Sequence, residues 1–146
     1  MKTWIYKDIP ISDISQFPPE TYGFIYKIIN DTTGWFYVGR KVLFFERKIA
    51  LGKKELAALE DKRSSKKKIV IKESDWKTYM GTQENLAKDV KLYGEDNFSR
   101  IILDICKTKK SMTYQELRWQ ILEGCLESDK CYCDNILGKF YRRDLL

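Results

Sequence analysis

Histidine is absent from the 146-residue chain, and this absence excludes several familiar catalytic centres. His₂Glu zinc sites, Ser-His-Asp triads and Cys-His dyads all require an imidazole. Proline is scarce, and its three copies all lie within residues 1–21. Apolar runs are short throughout, so the sequence predicts neither a secretion signal nor a membrane span. We therefore expect a soluble, cytoplasmic protein without a membrane partner.

Cysteine is also uncommon, and the four cysteines all lie in the last third of the chain. They are Cys106, Cys125, Cys131 and Cys133. None of them forms a C-x-x-C pair, the spacing most typical of zinc sites. A structural zinc on four thiolates stays open, but we favour reduced thiols, which are the usual state inside cells.

Positive charge is concentrated in one part of the chain. The whole sequence carries a net charge of +6, whereas residues 40–72 hold twelve basic and four acidic residues. This segment alone is therefore +8, and the remainder is −2. A basic segment on a slightly acidic body predicts a polyanionic partner, and nucleic acid is the usual one because phosphate contacts release counterions. A solvated, flexible loop is the alternative interpretation.

The pattern of apolar residues predicts one α/β (α+β) domain, and the 146 residues of the chain are a length that single domains commonly have. Residues 1–21 are expected to form an extended N-terminal arm, with a short strand at 4–6. Residues 22–146 form the main domain, with a basic insertion at about 48–72. We expect a small, mostly antiparallel three-stranded sheet flanked by helices. The predicted elements of that domain are strands at 22–29, 35–39 and 97–105, and helices at about 42–59, 82–93 and 111–126. The last helix is expected to pack through an apolar stripe of Tyr114, Leu117, Ile121 and Leu122.

The first two strands are predicted to form a β-hairpin that carries two tyrosines. Gly34 permits the turn between them, and Tyr26 and Tyr37 can then lie near each other across the strands. Ordinary aromatic packing is the alternative explanation for this pair. Arg47 and Glu116 lie on predicted helices, where each by itself resembles a solvated surface residue.

Together these residues resemble a known family. The triplet 24–26 (Phe-Ile-Tyr), followed eleven residues later by the triplet 37–39 (Tyr-Val-Gly), is similar to the paired motif of the GIY-YIG nuclease superfamily. The first glycine of that motif is replaced by Phe24, and Gly23 stands one place early. The segments 23–26, 39–41, 75–81 and 134–139 also resemble small phage-type proteins proposed to be homing endonucleases.

The resemblance implies a metal-dependent DNA endonuclease that uses a one-metal mechanism. Glu116 would hold Mg²⁺ or Mn²⁺, and Arg47 would bind the phosphate. Either Tyr26 or Tyr37 would activate water, which requires a lowered pKa that the neighbouring cations could provide.

Two further site roles and an alternative function follow from the same resemblance. Arg40 or Lys41 would supply the basic residue after the glycine, and Asn135 would contact the catalytic groups. Asn135 fits an Asx turn equally well. The alternative function is a non-catalytic nucleic-acid-binding module of the same fold.

The insertion is predicted to contact DNA, which we expect to be double-stranded. Tyr79 is predicted to replace the histidine that some relatives carry, with simple packing as the alternative. The chain would act as a monomer or a homodimer. The predicted DNA-binding residues are Tyr79 and eight basic residues of the insertion: Lys48, Lys53, Lys54, Lys62, Arg63, Lys66, Lys67 and Lys68.

Overall fold

A computed structural model describes residues 1–61 and 63–145, and these residues form nine β-strands and three α-helices. None of the helices in these two ranges has the length and hydropathy needed to cross a bilayer. The elements, in chain order, are β1 (Trp4–Tyr6), β2 (Ile9–Ile11), β3 (Gly23–Asn30), β4 (Phe36–Val42), β5 (Phe44–Ala50), α1 (Lys53–Ala57), β6 (Lys67–Glu73), α2 (Glu84–Tyr93), β7 (Phe98–Cys106), α3 (Lys109–Leu122), β8 (Asn135–Ile136) and β9 (Phe140–Tyr141).

The main sheet has five strands in the order β2-β1-β7-β3-β4, so the prediction of three strands was too low. The three predicted strands are its β7-β3-β4 part, and their pairing is antiparallel as expected. The N-terminal segment adds the other two strands, with β1 parallel to β7. Trp4, Ile11 and Phe17 are buried, so the predicted extended arm is part of the hydrophobic core.

Strand β3 is an interior strand of the sheet, between β7 and β4, and is buried on both faces. Phe24 and Ile28 belong to one hydrophobic cluster, and Ile25 belongs to a second cluster with Val38. Because side chains alternate along a strand, this burial explains why the sequence of β3 is almost continuously apolar.

Helix α3 packs against β3, β4 and β7, but not through its predicted apolar stripe. Tyr114, Ile121 and Leu122 are exposed, whereas Met112 and Gln120 are buried. The face of α3 that lies against the sheet is therefore unusually polar, and the periodicity of apolar residues pointed to the wrong side of the helix.

Residues 44–74 form a second compact unit, separate in its contacts from the unit of residues 1–43 and 75–146. Strands β5 and β6 pair in antiparallel fashion, and α1 is a five-residue helix between them. Arg47 lies in strand β5, opposite Val70, so the prediction that it lies on a helix was wrong. The charged residues of segment 44–50 are consecutive, from Glu46 to Lys48, so no alternation of apolar and charged residues marks this strand. Pairing with β6 supplies the hydrogen bonds that define it.

Candidate active site

The two tyrosines of the hairpin lie close together, as the sequence predicted. Their ring centroids are 6.1 Å apart, and the glycine opposite Tyr26 is Gly39. A Cβ atom at Gly39 would lie 2.6 Å from the Tyr26 hydroxyl oxygen and 2.8 Å from Cε1 of Tyr37. Only glycine leaves room for both rings, which gives the last residue of the Tyr-Val-Gly triplet a steric reason.

Burial raises the pKa of both tyrosines, contrary to the lowering that the sequence analysis expected. Desolvation is the largest cause for Tyr26, followed by the influence of Tyr37 and Tyr79. Desolvation also dominates for Tyr37, with further increases from Cys133 and Glu116. Both side chains are therefore neutral phenols at neutral pH in this structure, able to donate and accept hydrogen bonds.

A cavity of about 320 Å³ opens beside one of these tyrosines and is lined by three of the other predicted site residues. Tyr37, Arg40, Glu116 and Asn135 line it. Strand β4 supplies the first two residues, and α3 supplies the glutamate. Tyr26, in contrast, is only 1% exposed and packs edge-on against Tyr79.

Arg40 and Glu116 form a loose ion pair in this cavity. The Nε atom of Arg40 lies 3.9 Å from a carboxylate oxygen of Glu116, and one guanidinium nitrogen donates to Thr113 Oγ1 at 2.8 Å. Burial raises the pKa of Glu116, and the nearby Arg40 partly opposes this increase. The carboxylate is thus poorly solvated, and a cation bound beside it would stabilise its charged form.

Lys41 lies in a separate contact group. Its ammonium group donates to Asp75 Oδ1 at 2.5 Å and lies 4.0 Å from the centre of the Tyr79 ring. The hydrogen bond from Lys41 holds the pKa of Asp75 below its usual value. Because Tyr79 packs against Tyr26, the contacts among Lys41, Asp75 and Tyr79 stabilise the position of the buried Tyr26 ring.

Asn135 is both a cavity residue and part of a turn. Its side-chain oxygen accepts a hydrogen bond from Gly138 N at 2.9 Å, and its amide nitrogen donates to Asp134 at 2.7 Å. The Asx-turn interpretation and the site interpretation are therefore compatible, since the turn holds the side chain at the cavity wall.

The sequence analysis missed three polar residues that line the cavity. Gln120 is buried and donates to the carbonyl of Val38 at 3.2 Å, while Gln83 caps α2 through Leu86 N. Asp134 is the third. Gln120 follows Glu116 by four residues, so a search for polar residues on one helical face would have found it.

A family model described as "Putative endonuclease segE, GIY-YIG domain" matches residues 4–141. The chain belongs to this GIY-YIG family. No curated protein and no solved structure matches it significantly. The match covers both hairpin tyrosines, the cavity and the insertion, so the resemblance inferred from the two triplets is confirmed over residues 4–141.

The cavity of this GIY-YIG domain offers the kind of ligand that a hard divalent cation prefers. Glu116, Asp134 and Asn135 line it and carry side-chain oxygens, and Mg²⁺ binds through one or two carboxylates plus waters. The residues present therefore fit the implied metal.

The predicted DNA-binding residues lie mainly in the second unit. Lys48 is in β5, Lys67 and Lys68 are in β6, and all three are exposed. Lys53 and Lys54 are on the exposed helix α1. The loop residues of the set, Arg63 and Lys66, are exposed as well, while Lys62 lies outside the described residues.

Proposed function

We propose that this protein is a metal-dependent DNA endonuclease that hydrolyses phosphodiester bonds in the cavity lined by Tyr37, Arg40 and Glu116. The observation that carries the proposal is the poorly solvated Glu116 carboxylate facing a guanidinium and a tyrosine across one open cavity. Phosphodiester hydrolysis needs these three kinds of group: a cation site, a donor to the phosphate and a group that orients water.

Each residue then has one task. Glu116 would hold Mg²⁺ or Mn²⁺, which when bound stabilises charge on the phosphate and the departing oxygen. Arg40 donates to the non-bridging oxygens, since a guanidinium matches their geometry. Tyr37 borders the cavity, so it is the tyrosine that contacts the attacking water. Tyr26 packs against the ring of Tyr37 and so positions Tyr37.

The proton route follows from the raised tyrosine pKa values. A neutral Tyr37 can orient water at once, but it can accept a proton from that water only as a phenolate, after a nearby cation has lowered its pKa and its own proton has passed to solvent. Arg40 borders the same cavity, and a metal held by Glu116 would be a second cation there. Arg47 stays a prediction as a second phosphate contact.

Plasmid cleavage with Mg²⁺ or Mn²⁺ tests the proposal. Wild type is compared with Glu116→Gln, and Glu127→Gln is the matched control because it removes an exposed carboxylate after the same helix. We expect wild type and the control to nick or linearise supercoiled DNA, and Glu116→Gln to lose at least about 10²-fold in rate.

Two results would contradict the proposal. One is equal cleavage by wild type and Glu116→Gln, which would remove Glu116 and its cavity from the chemistry. The other is DNA binding by a wild type that is inert with both metals, which would favour the non-catalytic module of the same fold.

The ribbon formed by β5 and β6 supports a DNA-contacting role for the insertion. Residues directly opposite each other share a face, and the register places three cations and no carboxylate on one face. That face consists of Phe45, Arg47, Ile49, Lys68, Val70 and Lys72. The opposite face carries two cations and two carboxylates, and its charged residues are Glu46, Lys48, Lys67 and Glu73.

We propose that the face with Arg47 and Lys72 contacts the phosphate backbone. The double variant Arg47→Gln/Lys72→Gln should lower the salt dependence of DNA affinity by about one unit of slope per residue. The matched control is Lys48→Gln/Lys67→Gln, which removes equal charge from the opposite face of the same ribbon. Equal effects of the two double variants would contradict a face-specific contact.

A further inference from the structure

Three of the four cysteines meet in one buried cluster. The Sγ atoms of Cys125, Cys131 and Cys133 all lie within 4.8 Å of one another, and the three residues are buried. The backbone N–H of Cys133 also donates to Cys131 Sγ at 3.4 Å. The sequence spacing had not predicted this cluster, because it contains no C-x-x-C pair.

The fold places these thiols through backbone contacts. Cys125 follows the end of α3, where its N–H donates to Gln120 O at 3.0 Å. Cys131 forms a β-bridge with Phe36, at the start of strand β4. The cluster therefore joins the end of a helix to the edge of the sheet.

The guanidinium group of Arg142 is hydrogen-bonded to the backbone of this cluster. One guanidinium nitrogen of Arg142 donates to the carbonyl oxygens of all three cysteines, at 3.1 Å for Cys125, 3.3 Å for Cys131 and 2.9 Å for Cys133. Its Nε atom donates to Leu126 O at 3.1 Å. Three neutral thiols need no such cation, whereas a divalent ion on three thiolates carries a net charge of −1, which Arg142 would balance.

We propose that Cys125, Cys131 and Cys133 bind one Zn²⁺ ion as thiolates, with water or a small exogenous ligand in the fourth position. Zinc–sulfur bonds of about 2.3 Å in a tetrahedron place the sulfurs about 3.8 Å apart, which the cluster reaches by side-chain rotation. Each thiol gives its proton to solvent as its bond to zinc forms, and no atom changes oxidation state.

The sulfur donors distinguish this site from the cavity of Glu116. Thiolates select soft or borderline ions such as Zn²⁺, whereas carboxylate oxygens suit Mg²⁺. Cys133 nevertheless borders that cavity, and the carbonyl of Val38 accepts hydrogen bonds from both its thiol and Gln120. When Cys133 loses its proton, Val38 O keeps the Gln120 donor. Zinc would thus hold one wall of the cavity in place, independently of the nuclease chemistry.

The test uses the full chain, reduced and freed of metal by a chelator. Titration with Zn²⁺ against a chromophoric chelator should give one ion per chain. Titration with Co²⁺ should give a thiolate-to-metal charge-transfer band and the visible spectrum of tetrahedral cobalt. Cys106→Ala is the matched control, since this buried cysteine lies outside the cluster, and it should bind like wild type.

Variants of the cluster should separate a built site from chance binding. Cys131→Ala should lose the charge-transfer band, and Arg142→Gln should weaken zinc binding about 10-fold or more. Binding by Cys131→Ala equal to that of wild type, or an octahedral cobalt spectrum without a sulfur band, would overturn the proposal.

Wild type alone provides a readout that does not depend on the folding of a variant. Zinc should protect three thiols from alkylation while Cys106 keeps its metal-free rate, as measured by mass spectrometry of the digested protein. An unchanged alkylation rate at all four cysteines with saturating zinc would also overturn the proposal.

Discussion

Replacing Gly39 by alanine should damage both stability and catalysis, because two aromatic rings already occupy the space of a Cβ atom. The added carbon would lie 2.6 and 2.8 Å from Oη and Cζ of Tyr26, and 2.8 Å from Cε1 of Tyr37. These contacts are shorter by about 0.6–0.8 Å than the 3.4 Å at which ordinary packing begins. Tyr26 cannot retreat, because Trp4 and Tyr79 pack against its ring with centroids 5.5 and 5.7 Å away.

The expected loss in the free energy of unfolding for Gly39→Ala is about 2 kcal/mol, in the range of 1–3 kcal/mol for overpacked cores. Without a clash, alanine would instead stabilise the strand by about 0.4–1 kcal/mol through the unfolded chain. The two interpretations therefore predict opposite signs. A displacement of the tyrosine hydroxyls by about 0.5–1 Å should also slow DNA cleavage about 10²-fold.

Urea unfolding and plasmid cleavage at a temperature where both proteins stay folded measure the two effects of Gly39→Ala. Gly52→Ala is the control, since its Cβ would meet only Glu55 Oε1 at 3.6 Å. Gly52 is the N-cap of the short, exposed helix α1, so the stability of this variant should fall by no more than about 1 kcal/mol. A Gly39→Ala protein that is as stable and as active as wild type would refute the steric argument.

Three further predictions concern the cavity. Tyr37→Phe should slow cleavage about 10²-fold or more, and Tyr26→Phe should slow it less, as single-turnover rates on plasmid DNA would measure. Arg40→Ala should lose about 10²-fold in cleavage rate, and Arg40→Lys should recover part of this loss. Equal rates for wild type and both variants would contradict a contact between Arg40 and the phosphate. Because burial raises the pKa of Glu116 in the metal-free protein, the acid limb of the pH–rate profile, measured at a metal concentration well below saturation, should lie above the ordinary 4.5 of glutamate. The same shift makes the ionised carboxylate unfavourable for folding, so Glu116→Gln should unfold at no lower urea concentration than wild type at pH 7, and the gap should shrink as the pH falls.

The hairpin and helix α2 could be predicted because local chemistry determines them. The predicted turn at Gly34 joins two apolar strands, and the structure gives this glycine a φ of +78° there. Gly94 ends α2 with a φ of +88°, as expected of a glycine after the last apolar residue. The pairing of Tyr26 with Gly39 follows from the same hairpin register.

Other features depended on contacts between distant parts of the chain. β1 could be recognised as a strand, but nothing local in Trp4 or Ile5 shows that β1 pairs with β7 almost a hundred residues later. The polar face of α3 misled the periodicity argument, because a helix that supplies Glu116 and Gln120 to a cavity turns these residues inward. The raised pKa values of the tyrosines depend on burial, which sequence neighbours such as Arg40 do not reveal.

The two ends of the ribbon formed by β5 and β6 lie side by side, and this has an evolutionary consequence. Its first residue, Phe44, pairs directly with Glu73 near its end, so the chain enters and leaves the insertion at adjacent positions about 5 Å apart. A segment with neighbouring ends can be lengthened, shortened or exchanged by recombination while the strands that carry the tyrosines keep their register. With the DNA-contacting role proposed for the insertion, replacing this one hairpin would change the DNA preference and leave the residues of the cavity unchanged.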